Sequence, residues 1–83
     1  MAIRKRVIIH GRVQGVGFRS FVETYAIKRG VRGYVTNNVD GTVEAEFVGE
    51  KQDVDEMMQL VRKGPSLANV THVDIAEEDS DIS

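Results

Sequence analysis

The chain has 83 residues, no cysteine and a formal charge of −2 at pH 7, from eleven basic and thirteen acidic side chains. That length suffices for one domain and not two, so a single domain over residues 1–83 is expected, and without cysteine neither disulfides nor thiolate metal sites can hold it together. The acidic balance speaks against a nucleic-acid partner. No apolar run approaches the roughly 20 residues of a membrane span, and the start lacks a signal-peptide pattern, so a cytoplasmic protein without a membrane partner is expected.

Val7-Ile8-Ile9 reads as a buried strand, and the glycines of Gly11–Gly17 mark the loop that follows it. Phe18, Phe21, Val22, Tyr25 and Ala26 then form one apolar stripe at helical spacing, stopped by Gly30. Val31 to Thr36 is a second short strand, and Asp40-Gly41 is a turn signal. In Thr42–Phe47 the alternation turns Val43, Ala45 and Phe47 to the core and Glu44 and Glu46 to water.

A second helix carries Val54, Met57, Met58 and Val61 on its core face and stops at Gly64-Pro65. Val70 to Ile75 is the last strand, with Thr71, Val73 and Ile75 on one side and His72 and Asp74 on the other. Arg4-Lys5-Arg6 opens the chain, and Glu77-Glu78-Asp79 with Asp81 closes it, two solvated segments that attract each other if their strands pair. His10 and His72 read as partly exposed sheet residues rather than as ligands or bases, and Asn38 as a turn residue. Tyr34 fits either the open sheet face or the entrance of a pocket.

The order strand, helix, strand, strand, helix, strand predicts an α+β, ferredoxin-like βαββαβ sandwich, a four-stranded antiparallel sheet with two helices on one face. A helical crossover makes the first two strands run the same way, with the third between them and antiparallel to both. Their carboxyl ends then share one edge of the sheet, which brings the glycine loop close to Thr36-Asn37-Asn38.

Within Gly11-Arg12-Val13-Gln14-Gly15-Val16-Gly17-Phe18-Arg19, small residues let backbone N–H groups turn inward as an anion-binding nest. The loop runs into a helix N-terminus, which favours phosphate, and Arg19 in the first turn can add a bidentate guanidinium. A Walker loop is excluded because Phe18-Arg19 follows the last glycine. A dinucleotide fingerprint is excluded because Ser20 stands at the third glycine and the chain is too short for a Rossmann sheet.

Ile9–Arg19 resembles the first signature of the acylphosphatase family. Gly33-Tyr34-Val35-Thr36-Asn37, followed by Gly41-Thr42-Val43 and Gly49, resembles the second, and Gly64-Pro65 with the last strand resembles the family's C-terminal part. The resemblance implies hydrolysis of acyl phosphates to a carboxylate and inorganic phosphate. It implies that Arg19 and the backbone amides of Gln14, Gly15, Val16, Gly17, Phe18 and Arg19 bind the phosphoryl group, and that the Asn37 side chain positions the attacking water.

A carboxylate leaving group departs unprotonated, so no general acid is required; orienting a water and stabilising phosphoryl charge remain. No metal and no cofactor are expected. The expected partners are a small-molecule acyl phosphate and inorganic phosphate as product and inhibitor, acting on a monomer. Thr36 departs from the basic or long residue the family usually has before its asparagine, which points to weaker positive potential at the pocket mouth. Two alternatives stand beside this reading. A non-catalytic phosphate- or phosphometabolite-binding module would share the loop, and an RNA-binding domain would need aromatics where the middle strands carry Ile8, Thr42, Glu44 and Glu46. Similar segments also occur within larger carbamoyl-transferring proteins.

Overall fold

Alternating apolar residues in three of the strands and two amphipathic helices leave one way to bury both layers, helices against one sheet face. The computed structural model describes residues 1–81 and has this arrangement; Ile82 and Ser83, the end of the expected 1–83 domain, lie outside the described residues. The elements are β1 (Ala2–Arg12), α1 (Phe18–Arg29), β2 (Arg32–Asn37), β3 (Val43–Glu50), α2 (Lys51–Lys63) and β4 (Asn69–Ser80). The sheet order is β2-β3-β1-β4, and every neighbouring pair is antiparallel.

The core lies between sheet and helices. Ile3, Val7 and Ile9 of β1, Val43, Ala45 and Phe47 of β3, and Val54, Met57, Met58 and Val61 of α2 are all buried. From α1, Phe18 and Val22 are buried, and Phe21, Tyr25 and Ala26 pack partly against them, as the stripe predicts. A fully buried side chain of this kind contributes roughly 1.5–3 kcal/mol, so with no cross-link in the chain these residues carry its stability.

Three sequence expectations need correction. Ile8 is not buried with its neighbours, because the pleat turns it to the uncovered face while Val7 and Ile9 face the helices. The first strand does not end before Gly11: β1 continues to Arg12 through a register shift between His10 and Gly11. The last strand does not stop at Ile75, which is 43% exposed on the edge of the sheet; β4 continues to Ser80.

Charge explains that extension. A second register shift, between Arg6 and Val7, sets Arg6 opposite Glu77, Lys5 opposite Glu78 and Arg4 opposite Asp79. Arg6 Nε donates to Glu77 Oε1 at 2.7 Å, and Arg4 donates to Glu46 Oε2 and Asp79 Oδ2, each at 2.9 Å. Lys5 Nζ lies 3.4 Å from Glu78 and 3.5 Å from Asp55 of α2. The two charged segments therefore pair with each other, as their signs suggest.

The Arg6 hydrogen bond, then the charges of Arg6 and Arg4, hold the Glu77 carboxyl below its ordinary value of 4.5. A carboxyl with a depressed folded pKa adds stability that is present above its unfolded value and lost as pH falls through the folded one. The unfolding midpoint is therefore expected to drop on acidification below about pH 4.5, with added salt blunting the drop because these pairs are exposed. Denaturant titrations of the wild type and Glu77→Gln check this, the substitution giving the shallower acid dependence.

Gly33 in β2 has φ +136°, and a Cβ there would overlap the Glu46 carbonyl of β3. Neither backbone can retreat without breaking the β2–β3 ladder, so Gly33→Ala is expected to cost at least about 2 kcal/mol of stability. Equilibrium unfolding in urea measures it.

Candidate active site

The register of β3 fixes where the two halves of the site stand. Val43 is the pairing partner of both Ile9 in β1 and Asn37 in β2. The carboxyl ends of β1 and β2 are therefore level, two strand spacings or about 10 Å apart across the sheet. The glycine loop leaves one of these ends and the Asn38–Thr42 turn leaves the other.

Val13 and Val16 anchor the loop by burying their side chains, at 1% and 8% exposure, while Gly15 and Gly17 between and after them stay at the surface. Gly15 and Gly17 have φ +72° and +79°, and a Cβ on either would meet nothing within 4 Å. Glycine is required at these positions by conformation alone, and the space above the loop is open. Left-handed residues spaced this way turn successive N–H groups to one side.

Gly17 is also the N-cap of α1, and the first helical bond runs from Phe21 N to the Gly17 carbonyl at 3.0 Å. No side chain caps this end, and no acidic residue occupies its first turn. The N–H groups of Phe18, Arg19 and Ser20 thus project from a helix N-terminus with positive polarity and no competing carboxylate. Phe18 is buried at 2%, which pins the turn, and Arg19 beside it is exposed. Arg4, Arg6 and Arg29 are ion-paired, whereas Arg19 has no carboxylate partner among the described residues.

Gln14 joins the halves. Its side-chain Nε2 donates to the backbone carbonyls of Asn38 and Thr42, at 2.8 and 2.9 Å. Sequence reasoning gave Gln14 only a backbone role, and no local pattern signals the tie, because both acceptors are main-chain atoms more than twenty residues away. The turn it grips is closed by Asn38 N to the Thr42 carbonyl at 2.9 Å and by Asn38 Nδ2 to Thr42 Oγ1 at 3.0 Å. Asp40 Oδ1 accepts from Thr42 Oγ1 and N, at 2.6 and 3.0 Å, and these bonds hold the Asp40 carboxyl below its ordinary value. Asn38 is a turn residue, as expected.

Asn37, exposed, shares the helix-covered side of the sheet with its neighbour Val35 and its partner Val43. Thr36 alternates to the uncovered face, with Tyr34 and Glu44. That placement revises the reading of Thr36 as part of the pocket mouth, because its side chain lies on the opposite face from Asn37. The Tyr34 hydroxyl donates to Glu44 at 2.6 Å on the open sheet, and this bond to a carboxylate pushes its pKa up to about 12; the residue also borders the groove between α1 and β2. A groove of about 330 Å³ between α1 and β2, lined by Val22, Ala26, Val31 and Phe47 among others, includes none of Gln14–Arg19 and not Asn37.

The Acylphosphatase family's sequence profile matches residues 5–83. The chain belongs to the acylphosphatase family. An acylphosphatase of Rhodopseudomonas palustris (strain BisB18) is 49% identical over 72 residues, spanning 87% of this chain and 73% of that protein. The crystal structure of acylphosphatase from Bacillus subtilis superposes with a TM-score of 0.90 at 36% identity, covering 96% of this chain and 88% of that one. Full-length HypF, solved in its phosphate- and nucleotide-bound form, matches 90% of this chain over 10% of its own length, with 32% identity and a TM-score of 0.83. The family's chemistry is that of a hydrolase, and its fold is the ferredoxin-like sandwich the sequence predicts.

The Gln14 tie holds the glycine loop against the Asn38–Thr42 turn. Gln14→Leu removes both hydrogen bonds without emptying the space. It is expected to lower kcat by about 10- to 100-fold, because a small misplacement of reacting groups has that effect. The stability loss should stay near about 1–2 kcal/mol, the cost of two polar contacts. Steady-state kinetics and urea unfolding of the same sample check both.

Proposed function

We propose that this chain hydrolyses small acyl phosphates by holding the phosphoryl group against the Gln14–Arg19 amides and the Arg19 guanidinium while Asn37 orients the attacking water. The reading is carried by one observation, the uncapped N-terminus of α1 continuing a left-handed glycine loop that Gln14 ties to the Asn37 strand end. Gln14, Gly15, Val16, Gly17, Phe18 and Arg19 supply backbone N–H donors, and Arg19 adds a planar fork to two phosphoryl oxygens.

The bond order of events is simple. The water oxygen bonds to phosphorus, the bond from phosphorus to the acyl oxygen breaks, and the electron pair leaves with the carboxylate. Both water protons stay with the product, which leaves as dihydrogen phosphate and exchanges a proton with solvent. Charge accumulates on the phosphoryl oxygens in the transition state, where amide dipoles and a guanidinium stabilise it. Asn37 contributes by fixing the water in line, a positional effect that needs no ionisable group.

The same reading has one domain over residues 1–83 acting as a cytoplasmic monomer. It takes a free small-molecule substrate, no cofactor and no catalytic metal, is inhibited by its product inorganic phosphate, and has no nucleic-acid or membrane partner. Among the described residues no helix is long and apolar enough to cross a membrane. The middle strands present Arg4, Arg6, Glu44 and Glu46 in ion pairs on the open face, where an RNA-binding sheet would carry its base-stacking aromatics.

Hydrolysis of benzoyl phosphate by the purified chain in the presence of a chelator tests the proposal. Turnover with competitive inhibition by inorganic phosphate is the expected result. Phosphate binding without turnover would instead make the loop a binding module.

A further inference from the structure

The open face of the sheet carries a second group of functional side chains at the end of β1, on the side away from the helices. His10 of β1 and His72 of β4 are direct register partners, and their rings stack with centroids 4.0 Å apart and planes within 10°. Asp74, two residues further along β4, lies on the same face. His10 Nε2 is 2.9 Å from Asp74 Oδ2, and His72 Nε2 is 3.7 Å from the same oxygen. One ligand atom from each residue falls within 4.8 Å of the other two.

We infer that His10, His72 and Asp74 form a surface binding site for a late first-row divalent cation such as Zn²⁺ or Ni²⁺. Ligands about 2.1 Å from a tetrahedral ion are roughly 3.4 Å apart. The two separations from the Asp74 oxygen, 2.9 and 3.7 Å, bracket that value, and binding an ion turns the two rings out of their stack so that both Nε2 lone pairs meet at it. Two imidazoles and one carboxylate favour zinc, nickel or copper over magnesium or calcium, which prefer oxygen alone.

The backbone supports the same conclusion. The β1–β4 ladder continues on both sides of the cluster, so the strands fix the three Cα positions and the ion need not order a loop. His72 Nδ1 lies 3.4 Å from Thr71 Oγ1, while Nε2 faces the carboxylate. Both Nε2 atoms lie near one carboxylate oxygen, so the three donors are already gathered at one point of the surface. The remaining coordination positions open to water, because His72 and Asp74 are exposed. None of the three residues is among Gln14–Arg19 or is Asn37, although His10 directly precedes the loop at Gly11.

Calorimetric titration of the purified chain with Zn²⁺ at neutral pH tests this. One saturable site is expected, weakened at least about tenfold by His72→Ala and by Asp74→Asn, the loss that perturbing a metal's ligand shell produces. Zn²⁺ should also raise the thermal unfolding midpoint of the wild type and not of His72→Ala, since the ion binds the paired strands and not the unfolded chain. Both substituted residues are exposed on an edge strand, so the variants keep the fold. Absence of a saturable site, or equal affinity in wild type and both variants, would overturn the inference.

Discussion

Asn37→Ala is expected to lose acyl-phosphate turnover by on the order of 1,000-fold, the scale on which removal of one preorganised polar group acts. Its affinity for inorganic phosphate should change by less than about twofold, because the amides and guanidinium that hold the anion are untouched. The residue closes β2, its side chain is exposed, and among the described residues its amide has no hydrogen-bond partner, so the substitution leaves no buried group unsatisfied. Steady-state hydrolysis and phosphate inhibition measured on one preparation separate the two quantities.

Arg19→Ala is expected to behave differently. A guanidinium on the transferring phosphoryl group senses both the bound anion and the charge that grows in the transition state. kcat/KM should therefore fall by roughly 1,000-fold or more, the range in which arginines act on phosphoryl transfer. Phosphate inhibition should weaken in the same variant, which sets it apart from Asn37→Ala. Arg19→Lys restores the charge without the planar fork and is expected to recover only part of the loss. Because Arg19 is exposed, with no carboxylate partner among the described residues, unfolding midpoints should stay near the wild type in both variants. An Arg19→Ala protein that retained phosphate affinity would place the anion elsewhere.

The sequence carried most of the fold because its signals are local. The alternation of Val43, Ala45 and Phe47, the stripe from Phe18 to Ala26 and the Gly64-Pro65 stop each follow from the period of one element, and all are found in the structure. The glycine loop was legible for the same reason: conformation at Gly15 and Gly17 is a property of the residue itself.

What escaped depends on register. The length of β1 and β4 was hidden because Arg4–Arg6 and Glu77–Asp79 look like solvated termini until the opposite charges face each other across a shifted ladder. Gln14 reaching the carbonyls of Asn38 and Thr42, and His10 stacking on His72, are juxtapositions of residues far apart in the chain, which no short pattern encodes. Thr36 is a different case: neighbours on one strand face opposite sides, so alternation along β2 by itself separates Thr36 from Asn37.

The most direct test of the account measures kcat for benzoyl phosphate and the dissociation constant of inorganic phosphate together, on wild type and Asn37→Ala. The account predicts that the substitution removes turnover and leaves phosphate bound about as tightly as before. Near-normal kcat in Asn37→Ala would contradict the assignment of the water to that side chain, and loss of phosphate binding would contradict the division of labour between Asn37 and the loop.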